Sequence, residues 1–148
     1  MASNLKLCDL DPELNDKLKK FRKNKEKSNA AIIALIDTEA RQIKEDTSIA
    51  EELQDFESPT IEEVAELLPV HQPRFVIYRN VFNHDDGRVS YPMCFIFISP
   101  SGCKPEMQMM YAGSKLHFIK ETNMTKVFEV RSIEELTNDW LKNKLSFF

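Results

Sequence analysis

The residues of this chain that could make or break bonds are few and scattered. Cys103 stands two positions before Pro105, at the start of a long helical pattern, where the positive end of a helix would lower a thiol pKa and make it reactive. No histidine is assigned as its partner. His84 with Asp85 and Asp86 is the nearest approach to a metal or acid–base cluster, but the same stretch ends in Gly87 and reads as a turn whose aspartates need no metal. Cys94 lies within an apolar strand pattern and reads as a small buried hydrophobe. Glu62, Glu63 and Glu66 read as the solvated face of a short helix. The three glycines form no glycine-rich loop, so no phosphate cradle is expected. A catalytic site needs a nucleophile with its base, a metal set or such a cradle. The expectation is therefore a protein that is not an enzyme and carries no cofactor or metal.

What the spacing does offer is a surface for binding. The stretch from Ser99 to Lys115 reads as helical and oily on two opposite sides, with Pro105 opening the helix and Glu106 in its first turn. At roughly 100° per residue, Met107, Met110, Tyr111, Ser114 and Phe118 form one stripe, and Met109, Ala112 and Leu116 lie about half a turn away. A surface helix needs only one apolar stripe to bind its own core. The second must be covered by more of the same chain or by another protein, and the sequence leaves both open.

The remaining elements have to position this helix. Asp11 and Pro12 read as a capping residue followed by proline at the first helical position, opening about 12 residues of helix with Leu14, Leu18 and Phe21 on one face. Ala30 to Ile36 and Gln42 to Ile49 read as a hairpin around Asp37 to Arg41, and Glu51 to Glu57 as a loop. Ser58, Pro59 and Thr60 open a short helix carrying Ile61, Val64, Leu67 and Leu68, which Pro69 stops. Phe75 to Phe82 and Tyr91 to Ile98 alternate with apolar residues on both faces, so they read as central strands covered by helices on both sides. Thr125 to Arg131 reads as a last strand. Ser132 and Glu135 form a capping box for a final helix that buries Ile133, Leu136 and Trp140. The order predicts an α+β single domain over residues 1–148, a central mixed β-sheet flanked by helices on both faces.

Composition narrows the class further. A chain of 148 residues with 42% hydrophobic and 30% charged content suits one domain with its own core. No run approaches the roughly 20 apolar residues needed to span a bilayer, and the N-terminus lacks a basic segment followed by an apolar one. Cys8, Cys94 and Cys103 are an odd number without paired close spacing, which fits a reducing cytoplasm better than a disulfide scaffold. The net charge is −4, yet Lys17, Lys19, Lys20, Arg22, Lys23, Lys25 and Lys27 crowd together. They read as a solvated helix end whose cations suit the C-terminal dipole, with a contact for an acidic partner as the sharper alternative. Nucleic acid is not expected, because the run holds no aromatic platform beyond Phe21. No membrane association is expected either, and the chain is expected to be a monomer.

Met109 to Lys115, MMYAGSK, preceded by Ser99 and Pro100, resembles the long-helix signature of the actin-depolymerising factor homology family. His84 to Pro92 (HDDGRVSYP), Pro73 to Tyr78 (PRFVIY) and Thr137 to Leu145 (TNDWLKNKL) look more specifically like its glia maturation factor branch. The resemblance covers almost the whole chain. It implies a cytoplasmic regulator of the actin cytoskeleton without enzymatic activity, whose long helix enters a hydrophobic cleft of an actin-related subunit. For this branch the implied partner is the actin-related protein 2/3 complex, with inhibition of branch nucleation and dissociation of existing branches, and with actin itself as a further contact at the branch junction. Where cofilin-like members carry two basic residues before the methionine, this chain has Glu106 and Gln108, which removes attraction to acidic actin. A cofilin-like actin binder is therefore the disfavoured alternative within the family. An extracellular growth-factor-like signal is a second alternative, against which the missing signal peptide and disulfide pattern both argue.

The same resemblance implies two contact surfaces. The first joins the N-terminal tail, Met1 to Leu7 with Ser3 and Asn4, to Gln108, Met109, Ala112, Gly113 and Leu116 of the long helix. The second joins Asn83, His84, Asp85, Asp86 and Arg88 of the hairpin to Glu134 and Glu135 of the last helix. Ser3 sits where relatives carry a phosphorylatable serine, and a phosphate there would add about −1.5 to −2 charge to the first surface.

Overall fold

The computed structural model describes residues 8–146, so Ser3 and Asn4 lie outside the described residues. Among the described residues, a mixed six-stranded sheet runs through the molecule in the order β1 (Asp9–Leu10), β3 (Gln42–Glu45), β2 (Ala30–Asp37), β4 (Arg74–Arg79), β7 (Met93–Ile98), β8 (Val127–Val130). The outer pairs, β1 with β3 and β7 with β8, are parallel, and the inner pairs are antiparallel. Two short strands, β5 (Phe82–Asn83) and β6 (Val89–Ser90), form a separate ribbon.

The alternation along β4 and β7 divides the core in two. Val76, Tyr78, Cys94, Ile96 and Ile98 face the helices α2 (Thr47–Leu53), α3 (Ile61–Leu67) and α5 (Asn138–Leu145), and pack on Ile49, Ile61, Val64, Leu141 and Leu145. Phe75, Ile77, Phe95 and Phe97 face the other way, onto Leu14 and Leu18 of α1 (Pro12–Lys23) and Tyr111 and Phe118 of α4 (Pro105–Thr122). Every residue of β4 is buried, as a central strand covered on both faces requires.

Phe75 is the centre of the second core. Its ring lies 5.3 Å from those of Phe97, Tyr111 and Phe118 and 5.6 Å from Phe95, in tilted and edge-on arrangements that aromatic pairs favour. Tyr111 also makes the polar contact that docks α4 on the sheet. Its hydroxyl accepts a hydrogen bond from the Ile36 N–H at 2.9 Å.

A buried ion pair joins the β2–β3 hairpin to β4. The Asp46 carboxylate accepts from the Ile49 N–H at 3.2 Å, capping α2, and from Arg74 Nε at 3.0 Å. Arg74 also donates to the Pro73 carbonyl and to Gln72, so its guanidinium is well satisfied despite burial.

Several elements differ from the sequence reading. The strand expected over 42–49 ends at Glu45, because Asp46 turns the chain into α2, which also takes up Glu51 to Leu53 of the expected loop. β4 stops at Arg79, and Phe82 leaves the main sheet for the ribbon with Ser90. Ser99 to Lys104 is not helical: Ser99 follows β7 with its N–H on the Val130 carbonyl, and Cys103 closes a turn onto Pro100. The Ser132–Glu135 capping box is present but caps only a 3₁₀ turn over Ile133–Glu135, while α5 begins afresh with Thr137 as its own cap. Glu134 and Glu135 therefore do not belong to the last helix. Asp11 precedes α1 without a side-chain capping bond, leaving Pro12 as the start signal. The short strand β1 was not foreseen; two residues carry no period.

Truncating one member of the buried pair leaves the other charge uncompensated. Asp46→Ala is expected to lower unfolding free energy by about 3 to 5 kcal/mol in urea titrations. Lys17→Ala, which removes the half-exposed Lys17–Glu45 pair, should cost no more than about 1 kcal/mol. Tyr111→Phe keeps the ring and leaves the Ile36 N–H without its acceptor, so a loss of about 1 to 3 kcal/mol is expected by the same measurement.

Candidate functional site

α4 is the longest helix among the described residues, and its sequence makes both of its sides apolar. Pro105 occupies its first turn, and Asn123 ends it in the left-handed conformation at φ 54°. Tyr111, Ser114 and Phe118 are buried against the sheet, with Met107, Met110 and Ile119 partly buried beside them. On the opposite side Met109 is 73% exposed and Leu116 54% exposed, with Ala112 and Gly113 exposed between them. The described chain does not cover this second stripe. Large apolar side chains that stay wet in a row mark a contact surface more often than chance scatter does. Methionine suits that use, since its flexible, polarisable side chain adapts to the pocket it enters.

The polar rim of the stripe is set by identifiable contacts. Glu106 is exposed in the first turn, and Lys115 pairs with Glu129 of β8 at 3.3 Å while lying over the Phe97 ring. Gln108 is half-buried and donates through Nε2 to the Ser99 hydroxyl at 3.3 Å. Gln108 thus turns back onto its own fold, whereas Met109, Ala112, Gly113 and Leu116 point away from it.

The hairpin residues form a different place. Gly87 has φ 91°, and Asp86 accepts from the Arg88 N–H at 3.0 Å and from the Arg88 side chain at 2.6 Å. Those bonds, the backbone one first, hold the Asp86 carboxyl below its ordinary pKa. His84 meets the Ser90 hydroxyl at 2.8 Å and lies against Phe82 in a tilted contact with 4.8 Å between rings, which fixes the ribbon. Asn83 and Asp85 are exposed.

The two halves of the expected second surface lie on segments that leave the strands at opposite ends. The hairpin follows Arg79, which pairs with Met93, whereas Glu134 and Glu135 follow Val130, which pairs with Ile98 at the other end of the same strand. Six residues of strand, about 3.3 Å each, lie between these ends. Glu135 is occupied by its capping box, accepting from the Arg131 and Ser132 N–H groups at 2.9 and 3.1 Å. Glu134 lines a 270 Å³ cleft with Val70, His71, Pro100 and Gly102, next to the start of α4. The hairpin borders Asn138 and Lys142 of α5 as well as Leu145 and Ser146 at its end, so it also meets the start of α5, three residues after Glu135. The 3.6-residue spacing of Leu141 and Leu145 signals which side of α5 packs inward, but not which loop its far end meets.

The reactive candidates are placed as follows. Burial pushes the Cys94 thiol up to about 12, so it stays protonated. Cys103 is half-buried in the turn before α4. Among the described residues no group of three or more His, Cys, Asp or Glu side chains is arranged to hold a metal ion, and no helix is long and apolar enough to cross a membrane. Of the basic run, Lys17 pairs with Glu45 and Lys19 to Lys27 project into solvent.

Comparison with known proteins places this geometry. Residues 7–146 match the family model described as cofilin/tropomyosin-type actin-binding protein. The chain is 52% identical over 148 residues to human glia maturation factor beta, covering 100% of this chain and 99% of that one. It is 44% identical over 143 residues to the glia maturation factor of Drosophila melanogaster, covering 97% and 99%. The solution structure of glia maturation factor from Caenorhabditis elegans superimposes with a TM-score of 0.76 at 35% identity, covering 97% of this chain and 99% of that one. Actin depolymerization factor 2 of Plasmodium berghei superimposes with a TM-score of 0.75 at 21% identity over 96% of this chain and 99% of its own, a likeness of fold. On these matches the chain belongs to the cofilin/tropomyosin-type actin-binding family, within its glia maturation factor branch.

Proposed function

We propose that this protein regulates the actin cytoskeleton by binding the actin-related protein 2/3 complex, inhibiting branch nucleation and promoting release of existing branches. The observation that carries the reading is the wet apolar stripe of Met109, Ala112, Gly113 and Leu116 on a helix already docked to its own core. An exposed apolar helix face flanked by polar groups is suited to a hydrophobic groove on a partner, read as anchors at i, i+3, i+4 and i+7. Those are the intervals between Met109 and the other three residues.

The action requires no bond chemistry. A protein that binds the complex more tightly in its debranched geometry than in the branched one moves the equilibrium toward release by that difference in affinity. Glu106, exposed beside the anchor, repels an acidic subunit and favours a partner whose groove is less negative than that of conventional actin. Activity in the cytoplasm as a monomer, without cofactor, follows from the same reading.

Met109→Ala is expected to leave the melting temperature within about 1 °C of wild type, because the side chain is exposed, and to weaken binding to the purified complex by about 1 to 3 kcal/mol. Unchanged affinity in equilibrium titration would remove Met109 from the interface. Glu106→Lys should raise affinity for monomeric actin measured at the same salt. No gain would show that this charge does not set partner choice.

A further inference from the structure

We infer that Gln108 acts on the interface as a positioning residue, forming with Ser99 a latch that holds the first turns of α4 in the rotation that presents Met109. This rests on the binding role proposed for α4, and it differs from a direct contact role for Gln108.

The packing of Tyr111 and Phe118 on Phe75 sets the rotation of the middle of α4, whereas its first turns bury only part of Met107 and Met110 and are apolar on their outer side as well. At those first turns, directional contacts sharpen the choice. Tyr111, Gln108 and Lys115 make such contacts from α4 to other elements, and Tyr111 and Gln108 are the two nearest Met109 in sequence. Tyr111 Oη takes the Ile36 N–H, and Gln108 Nε2 donates to Ser99 Oγ. They bracket Met109, one residue before it and two after. The entry to the helix has no side-chain cap: Lys104 makes no capping bond, and Pro105 has no N–H to give.

Ser99 is a firm base for such a latch. It is 2% exposed, and its N–H is held by the Val130 carbonyl at 2.9 Å, so it moves only with β7 and β8. The bond therefore ties the tip of α4 to the rigid part of the sheet across the non-helical turn of residues 100–104. That turn contains Gly102 and otherwise allows the helix entry to shift. A partner groove that accepts Met109 in one direction selects the latched position, and the latch contributes to affinity no more than it contributes to that position.

Burial of Ser99 makes the test clean, because a partner cannot touch it. Ser99→Ala, Gln108→Ala and the double variant are each titrated against the purified actin-related protein 2/3 complex, with melting temperature and amide hydrogen exchange of residues 106–112 measured on the same samples. The latch predicts that both single variants bind about two- to tenfold more weakly and that the double variant is no weaker than either, since one bond is lost in all three. Exchange in the first turns of α4 should speed up in each. Weaker binding by Gln108→Ala with Ser99→Ala unchanged would overturn the latch and make Gln108 a contact. Full additivity would overturn it as well. If the wild-type protein does not bind the complex, the binding role fails, and the exchange data alone decide the latch: unaltered exchange in Ser99→Ala would overturn it.

Discussion

Ile36 is where β2 runs past the last of its pairs with β4, Ala34 with Phe75, and its N–H is met by the hydroxyl of Tyr111 from a helix 75 residues further along the chain. A buried N–H without an acceptor is costly, so this one bond ties the position of α4 along the sheet to the completion of the sheet itself. The ring that carries the hydroxyl is also part of the aromatic set around Phe75. Polar and apolar demands on Tyr111 are met together in one rotation of the helix, with Phe118 two turns on adding the second aromatic contact. The exposure of Met109 and Leu116 is the other side of that rotation.

The sheet can serve as this reference because it is sealed on both faces. β4 and β7 bury alternate side chains into two cores, so neither strand can slip by one residue without exchanging the aromatic layer for the aliphatic one. The Asp46–Arg74 pair adds a directional constraint at the end where β4 starts, the same end from which β7 leads through Ser99 into α4. Rigidity is concentrated where α4 begins. At the opposite end the β5–β6 ribbon is held by local bonds among Asp86, Arg88, His84 and Ser90, and it extends beyond the main sheet.

This distribution suits the binding role proposed for α4. A groove-binding helix offers more when its orientation is settled before the partner arrives, because less freedom is lost on binding. In this protein the settling is done by groups that face away from the partner, so the outer stripe itself is free to consist of small and flexible residues. Ala112 and Gly113 let a partner backbone come close, and Met109 and Leu116 flank that low point.

Much of the architecture was legible in the sequence because it rests on period and punctuation. Phe75 to Tyr78 and Cys94 to Ile98 showed two apolar faces, Thr60 and Pro69 bracketed α3, and the two stripes of α4 could be counted. Where local signals competed, the reading failed: Ile43 and Ile49 suggested one strand, yet the Asp46 carboxylate, held by Arg74, starts a helix between them. The capping box at Ser132 and Glu135 was real but served a single turn, since Leu136 turns inward and the chain restarts at Thr137. The family and its fold were thus carried by motifs local in the sequence. Which stripe of α4 is wet, which way Gln108 faces, and the departure of the hairpin and of Glu134 and Glu135 from opposite strand ends were settled only by tertiary structure. Each depends on partners far away along the chain, Ile36 for Tyr111, Ser99 for Gln108 and the full length of β7 between the two loops, and periodicity within one element carries no information about distant partners.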